Sequence, residues 1–415
     1  MAAAGSPRLF YGWVIVTAAC IIVGIGMGLM LALGVFMEPF ETTFGWGRGA
    51  IGQGILVGWI MYGVCSLLFG VLSDRMGLRC IVLIGGLMFA AGLLALSRMQ
   101  SLWHFYLFHG LLVSGGIGAF LVPLTAAVTR WFTRSRGLVV AIVNSGAGLG
   151  SMACGHSTRA LLLVMDWRTT LFLYAVVVLV VLLPLAWLLR DHPRDMGLEP
   201  YGGAEPTPPA GSQQASSSLT QVLATPAFWL IALMHTLCCM AHSGPLFHMV
   251  SNMIDHGIDK LAAATVFALA GLASIPGRIG TGLLAERYGS KSMLVLWLTA
   301  QATAIGLYHL VEGQMSFTLL ALLFGASYGS VMPLYAMVTR EFFGPRVMGT
   351  SYGAIFFLSC TGMGLGAWIG GRLFDQFGTY QLMYMLGLSA SAIGALCAAL
   401  LQPPRPRATP ALAGV

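Results

Sequence analysis

Charge is what this chain has least of. Of 415 residues only 8% are charged, and Asp and Glu together number 14. A soluble protein of that length needs far more charge to stay in solution. No carboxylate lies well inside an apolar run. The usual carboxylate route for moving protons through a membrane is therefore missing. The 8 cysteines all fall inside apolar runs and never at metal-ligand spacing, with Cys238 and Cys239 adjacent. They read as small packing residues rather than as disulfides or metal ligands. No nucleophile–base pair or metal set gathers in one plane, which argues against an enzyme and calls for no cofactor. The first apolar run is too long for a cleavable signal peptide and lacks a cleavage site, so none is expected there.

Apolar residues make up 57% of the chain. They cluster in twelve runs long enough to span a bilayer, which takes about 20 residues each. The runs are roughly 11–37, 50–72, 79–97, 102–129, 137–164, 168–189, 226–250, 261–284, 292–310, 316–338, 347–371 and 379–401. This predicts an all-α integral membrane protein of twelve transmembrane helices. Glycine, at 54 residues, would weaken soluble helices but lets membrane helices approach closely.

The net charge of +7 does not point to nucleic acid, because the basic residues sit in short loops between apolar runs. With the N-terminus inside, Arg8, Arg75, Arg79, Arg130, Arg134, Arg136, Arg190, Arg194, Arg287, Lys291, Arg340, Arg346, Arg405 and Arg407 are cytoplasmic. Arg48, Arg98, Arg159, Arg168, Lys260 and Arg372 are external. The asymmetry predicts both termini in the cytoplasm. Arg278 is left over, within a helix.

The sequence repeats itself. Gly70-Val71-Leu72-Ser73-Asp74-Arg75-Met76-Gly77 follows the second run, and Gly282-Leu283-Leu284-Ala285-Glu286-Arg287-Tyr288-Gly289 follows the eighth. Pro123-Leu124 with Val128-Thr129-Arg130 returns as Pro333-Leu334 with Val338-Thr339-Arg340. Residues 191–225 differ from everything around them in their Pro, Gly, Ser and charge, and predict a mobile cytoplasmic linker. The expected organisation is a six-helix bundle over 1–190, a linker over 191–225, a second bundle over 226–401 and a tail over 402–415. Parallel halves of this kind enclose a midplane cleft that rocking opens to one side at a time.

The paired Gly-x-Leu-x-Asp/Glu-Arg-x-Gly loops resemble the signature loop of the major facilitator superfamily, and the likeness covers residues 10–401. Three further stretches are similar to monocarboxylate-transporter-like members and their oxalate/formate-exchanger relatives. They are Tyr11-Gly12-Trp13-Val14, Trp131-Phe132-Thr133-Arg134-Ser135-Arg136-Gly137-Leu138 and Asp191-His192-Pro193-Arg194-Asp195-Met196-Gly197. The loops also have a mechanical reading. Asp74 can cap a helix and pair with Arg130 or Arg136, and Glu286 with Arg340 or Arg346, so that acid and base hold the halves together at a cytoplasmic gate. Arg75 and Arg287 complete the two loops.

Arg278 stands alone among apolar residues in the eighth helix, where an arginine costs roughly 3 kcal/mol. A guanidinium offers a carboxylate two parallel hydrogen bonds, which lysine cannot. The resemblance implies the same role, since monocarboxylate transporters carry a substrate-binding arginine in that helix. Two positions depart from the family. Leu31 aligns with a lysine, and Ser274 with an aspartate four residues before the arginine. Both join the substrate-site candidates, with Phe120 and the helix-10 tyrosine Tyr328 as cavity walls. His242, with His235 one heptad before it, is the remaining candidate for proton coupling. Gly146-Ala147-Gly148-Leu149-Gly150 lies inside an apolar helix with no strand before it, so it reads as close packing rather than nucleotide binding. Gly362-Met363-Gly364-Leu365-Gly366 matches it.

These readings combine into a carrier of small organic monocarboxylates of the lactate or pyruvate kind, coupled to protons and embedded in the cytoplasmic membrane. The alternatives are an organic-anion exchanger of the oxalate/formate type and a drug or metabolite exporter.

Overall fold

The computed structural model describes residues 10–203, 219–343 and 348–402, apart from the side chains of Asp74, Arg136, Leu219, Glu286 and residues 348–350. Among the described residues twelve helices are long and apolar enough to cross a membrane. They are α1 Tyr11–Phe44, α2 Arg48–Ser73, α3 Leu78–Ser97, α4 Leu102–Trp131, α5 Gly137–Leu162, α6 Trp167–Leu188, α7 Pro226–Asp255, α8 Lys260–Ala285, α9 Ser290–Leu310, α10 Gln314–Phe343, α11 Ser351–Phe377 and α12 Gln381–Leu400. They form two six-helix halves joined mainly along α5 with α8 and α2 with α11. The first and last described residues, Phe10 and Gln402, lie at one end of the bundle, called here the terminal end.

The repeated loops show why glycine stands where it does. Gly77 (φ 84°) and Gly289 (φ 83°) are each the single residue between consecutive helical segments. A residue with a Cβ is strained in that backbone region, so a one-residue reversal between helices requires glycine.

The two glycine triplets set the helix spacing, in matching fashion in each half. A Cβ on Gly150 would lie 1.9 Å from the Gly24 carbonyl oxygen, and one on Gly146 would lie 2.3 Å from that of Cys20. In the second half a Cβ on Gly362 or Gly366 would lie 2.3 or 2.1 Å from the carbonyl oxygens of Thr236 and Met240. The outer glycines therefore seat α5 on α1 and α11 on α7 within one half. The middle glycines face across the halves, Gly148 to Ser274 and Gly271 on α8, and Gly364 to Leu56 on α2. The driving force is backbone contact between apolar helices that lipid cannot replace.

Helix α1 differs from the sequence reading, which ended it near residue 37. It breaks at Ala32 and continues as a helix from Leu33 to Phe44. Glu38 and Glu41 thus belong to a membrane helix, because hydropathy drops at a charge while the backbone hydrogen bonds do not. Helix α4 also breaks. It contains a π-helical stretch, Tyr106–Ser114, and resumes at Leu121 after Gly115, Gly116 and Gly118.

The start of the expected linker is tied down. Asp191 accepts the Leu78 N–H at 2.8 Å, capping α3. Tyr201 pairs with Phe132, and its carbonyl accepts N–H bonds from Thr133 and Arg134. Residues 191–203 therefore dress the terminal end of the first half. Residues 204–218 lie outside the described part, and a short helix, Leu219–Leu223, precedes α7.

Candidate functional site

Arg278 sits on α8 at the seam between the halves, only 7% exposed. Its Nη1 donates to the Asn144 carbonyl of α5 at 2.8 Å, and its Nη2 donates to the Tyr328 hydroxyl of α10 at 3.2 Å. Its Nε is buried without a hydrogen-bond partner, and among the described residues no carboxylate pairs with it. The Nε–H of the guanidinium is thus the donor left without an acceptor. A buried donor without a partner carries a penalty of about 1–3 kcal/mol, and a carboxylate seated there would remove it.

Tyr328 is 9% exposed and lies under the guanidinium, 5.5 Å from its carbon to the ring centre. The His242 ring lies 5.0 Å from the Tyr328 ring. His242 Nδ1 meets the Cys238 Sγ at 3.8 Å, and Gln301 of α9 donates to the Cys238 carbonyl and to Ser391 of α12. Sequence reasoning named Arg278, Tyr328 and His242, and the structure brings them together. It missed the Asn144 carbonyl, which carries no side-chain signal. It also missed Gln301, whose only signal is a lone amide in an apolar run.

His235 lies one heptad nearer the terminal end, stacked on Tyr335 at 3.8 Å, with both ring nitrogens buried and unpartnered. Two histidine–tyrosine ring pairs thus repeat along α7 and α10. They are two turns apart, about 10 Å.

The other named residues lie elsewhere. Ser274 is fully buried, bonds back to the Gly271 carbonyl and packs on Gly148. A carboxylate would not fit in that tight seam, which accounts for serine where an acid would pair with Arg278. Phe120 is wedged against Gly26, Gly85 and Phe89 inside the first half, away from Arg278. Leu31 is buried beside the α1 break. Helix pairing sets Gly150 beside Gly24 and Gly28, which places Leu31 roughly two to three turns beyond the level of Asn144 and Arg278.

Of the gate candidates, Arg75, Arg287 and Arg340 are exposed at the terminal end and Arg130 is half-buried there. The side chains of Asp74, Arg136 and Glu286, and all of Arg346, lie outside the described residues.

Among the described residues, every ion pair between the halves lies at the end opposite the termini. Arg48, at the start of α2, holds Asp255 of α7 through both terminal nitrogens (2.6 and 3.0 Å), the Tyr380 hydroxyl (2.7 Å) and Glu41 (2.6 Å). Asp375 of α11 accepts the backbone N–H groups of Arg48 and Gly49 at 2.8 and 2.7 Å. Glu38 joins Arg159 in its own half to Lys260 in the other.

Comparison with known proteins fits this architecture. The family model of the Major Facilitator Superfamily matches residues 14–367. Monocarboxylate transporter 13 of Rattus norvegicus is 27% identical, the match covering 91% of this chain and 85% of that protein. Monocarboxylate transporter 11 of Homo sapiens is also 27% identical, with 92% and 81% covered. An agnestins efflux protein of Paecilomyces divaricatus is 24% identical, with 87% and 81% covered. The crystal structure of the nucleoside transporter NupG superposes with a TM-score of 0.72 over 94% of this chain and 99% of that one, at 12% identity. That likeness bears on the fold alone.

Proposed function

The chain belongs to the major facilitator superfamily, a family of transporters, and from that premise we propose that it carries small monocarboxylates across the cytoplasmic membrane by alternating access. The observation that carries this reading is the buried Arg278 guanidinium, which has no acidic partner among the described residues and an Nε–H without an acceptor. A substrate carboxylate takes Nε–H and the remaining Nη2–H as a two-point fork. The Tyr328 ring and hydroxyl lie against the adjoining carbon chain, and His242 stands beside them to exchange a proton. The relatives named as monocarboxylate transporters support the substrate class.

The basic asymmetry supports cytoplasmic termini, so the ion-paired end described above faces outward. The paired acid–arginine loops at the terminal end form the gate that closes when the cleft faces out. The efflux relative favours a second reading, export of a larger organic acid by the same hook.

The test is purified protein in liposomes, offered radiolabelled organic acids with and without a pH gradient. Saturable uptake of a monocarboxylate, stimulated when the outside is acid, supports proton-coupled carriage. Uptake that needs a counter-anion inside points to exchange. Movement of none of the acids, with movement of a neutral solute, overturns the proposal.

A further inference from the structure

Two cavities follow one another along the seam of α5 and α8, at the end opposite the termini. The deeper one, about 340 Å³, is an apolar groove walled by Met152, Ala153 and His156 of α5 and by Thr265, Ala268 and Leu269 of α8. The other, about 220 Å³, is a polar chamber with Glu38, Arg159, Asp166 and Lys260 in its wall. Arg159 follows His156 by three residues and Lys260 precedes Thr265 by five. The chamber therefore sits about 5–8 Å beyond the groove on both helices.

The groove faces lipid. Leu149, Ala153, His156 and Ala160 are all exposed and recur at helical spacing, which marks one outward stripe of α5. Other sides of the helix are closed by glycine contacts, Gly146 and Gly150 on α1, and Gly148 and Gly155 on α8. His156 stands six residues before the end of α5 at Leu162, about 9 Å inside it. In a bilayer such a groove is filled by hydrocarbon rather than by water. At its outer edge stands a polar pair, His156 Nδ1 and the Thr265 hydroxyl, 3.4 Å apart.

The chamber carries positive charge to spare among the described residues. Arg159 and Lys260 share the single carboxylate of Glu38. Asp166 is occupied in capping α6 through the Thr169 N–H at 3.2 Å, and Asp259 in capping α8 through those of Leu261 and Ala262. Arg159 is only 4% exposed, and its Nε–H is buried without an acceptor. The Lys260 side chain is 48% exposed.

We propose that groove and chamber together seat one membrane phospholipid. Its phosphodiester takes Arg159 and Lys260, its glycerol esters lie at the His156–Thr265 edge, and an acyl chain fills the groove. The rise from His156 to Arg159, about 4.5 Å, suits the step from ester to phosphate in a glycerolipid. The phosphate supplies an acceptor to an orphaned guanidinium donor, and the chain replaces empty space by van der Waals contact. Because α5 and α8 belong to different halves, the lipid bridges them beside the Glu38–Lys260 pair.

The test is native mass spectrometry of the full chain in detergent, titrated with dioleoyl phosphatidylcholine, whose zwitterionic head removes net charge as the deciding factor. The parent should hold one molecule, and dioleoylglycerol, which lacks the phosphate, should bind about tenfold more weakly. Ala153→Trp, which fills the groove, should weaken phosphatidylcholine at least about tenfold, and Lys260→Ala about fivefold. Leu319→Trp, at a residue 61% exposed on α10, should bind like the parent. A phosphatidylcholine with a diazirine in its acyl chain should mark residues 152–157 and 265–269. Melting curves confirm folding, and the two variants act on separate parts of the lipid. Equal binding of dioleoylglycerol, unchanged binding by both folded variants, or photo-adducts spread evenly over the lipid-facing helices overturns the proposal. So does inorganic phosphate raising Tm as much as phosphatidylcholine does, which would mark a free-anion site instead. The readout needs no transported solute, so it is independent of the substrate proposed above.

Discussion

Replacement of Arg278 separates a substrate hook from a structural arginine. Two charge-assisted bonds to a carboxylate are worth about 1.5–3 kcal/mol each. Their joint loss in Arg278→Ala, less what a hydrated anion regains, leaves about 3–4 kcal/mol, a weakening of several hundredfold. Arg278→Lys keeps the charge but loses the parallel second bond, so KM should rise about 10–100-fold. Stability should behave differently. The substitution to Ala removes the bonds to the Asn144 carbonyl and the Tyr328 hydroxyl. It also relieves the cost of a guanidinium in a membrane helix, roughly 3 kcal/mol. The two contributions nearly cancel, and Tm should move by only a few degrees. The assay is binding and uptake of an acid and its neutral amide by monodisperse protein in liposomes. Parent protein should prefer the acid, and Arg278→Ala should treat both alike. A folded Arg278→Ala with acid-selective, saturable uptake near the parental KM would refute the reasoning, as would a protein that simply fails to fold.

Tyr328→Phe removes the hydroxyl that accepts from Arg278, leaves a buried donor bare, and should raise KM by about tenfold while changing turnover little; an unchanged KM removes the hydroxyl from the site. His242→Gln should flatten the pH dependence of uptake in liposomes, and an unaltered profile excludes His242 from coupling. Gly150→Ala places a methyl 1.9 Å from the Gly24 carbonyl and should cost about 1–3 kcal/mol of stability, read as a lower Tm in detergent. Gly280→Ala, which meets nothing within 4 Å, should melt like the parent. A protease site introduced within residues 204–218 should be cut only from the side that holds the termini.

The ion-paired end changes how the carrier's cycle is read. Sequence reasoning placed its gate in the repeated loops at the terminal end, where acid and arginine recur together. The structure shows inter-half contacts at the opposite end, built from Arg48, Asp255, Asp375, Glu38 and Lys260. These residues are scattered over five helices and share no motif, so nothing in their spacing marks them as partners.

By itself the sequence determined the class and plan of this protein. Twelve apolar runs, few charges and a doubled loop are statements about single segments, and the bilayer acts on each segment separately. Arg278 was legible for the same reason, since one charge in an apolar helix is costly wherever its neighbours lie. The glycine triplets announced close packing, because only the absence of a Cβ permits it. What the tertiary structure alone decided is which groups meet. That Asn144 gives its carbonyl to Arg278, that Ser274 is sealed in a seam with Gly148, that Phe120 and Leu31 lie away from Arg278, and that α1 runs on past Glu38, which pairs with Lys260 of the other half, all depend on contacts between residues far apart in the chain. Such contacts are set by the register and tilt of whole helices against each other, and no local pattern of residues encodes them.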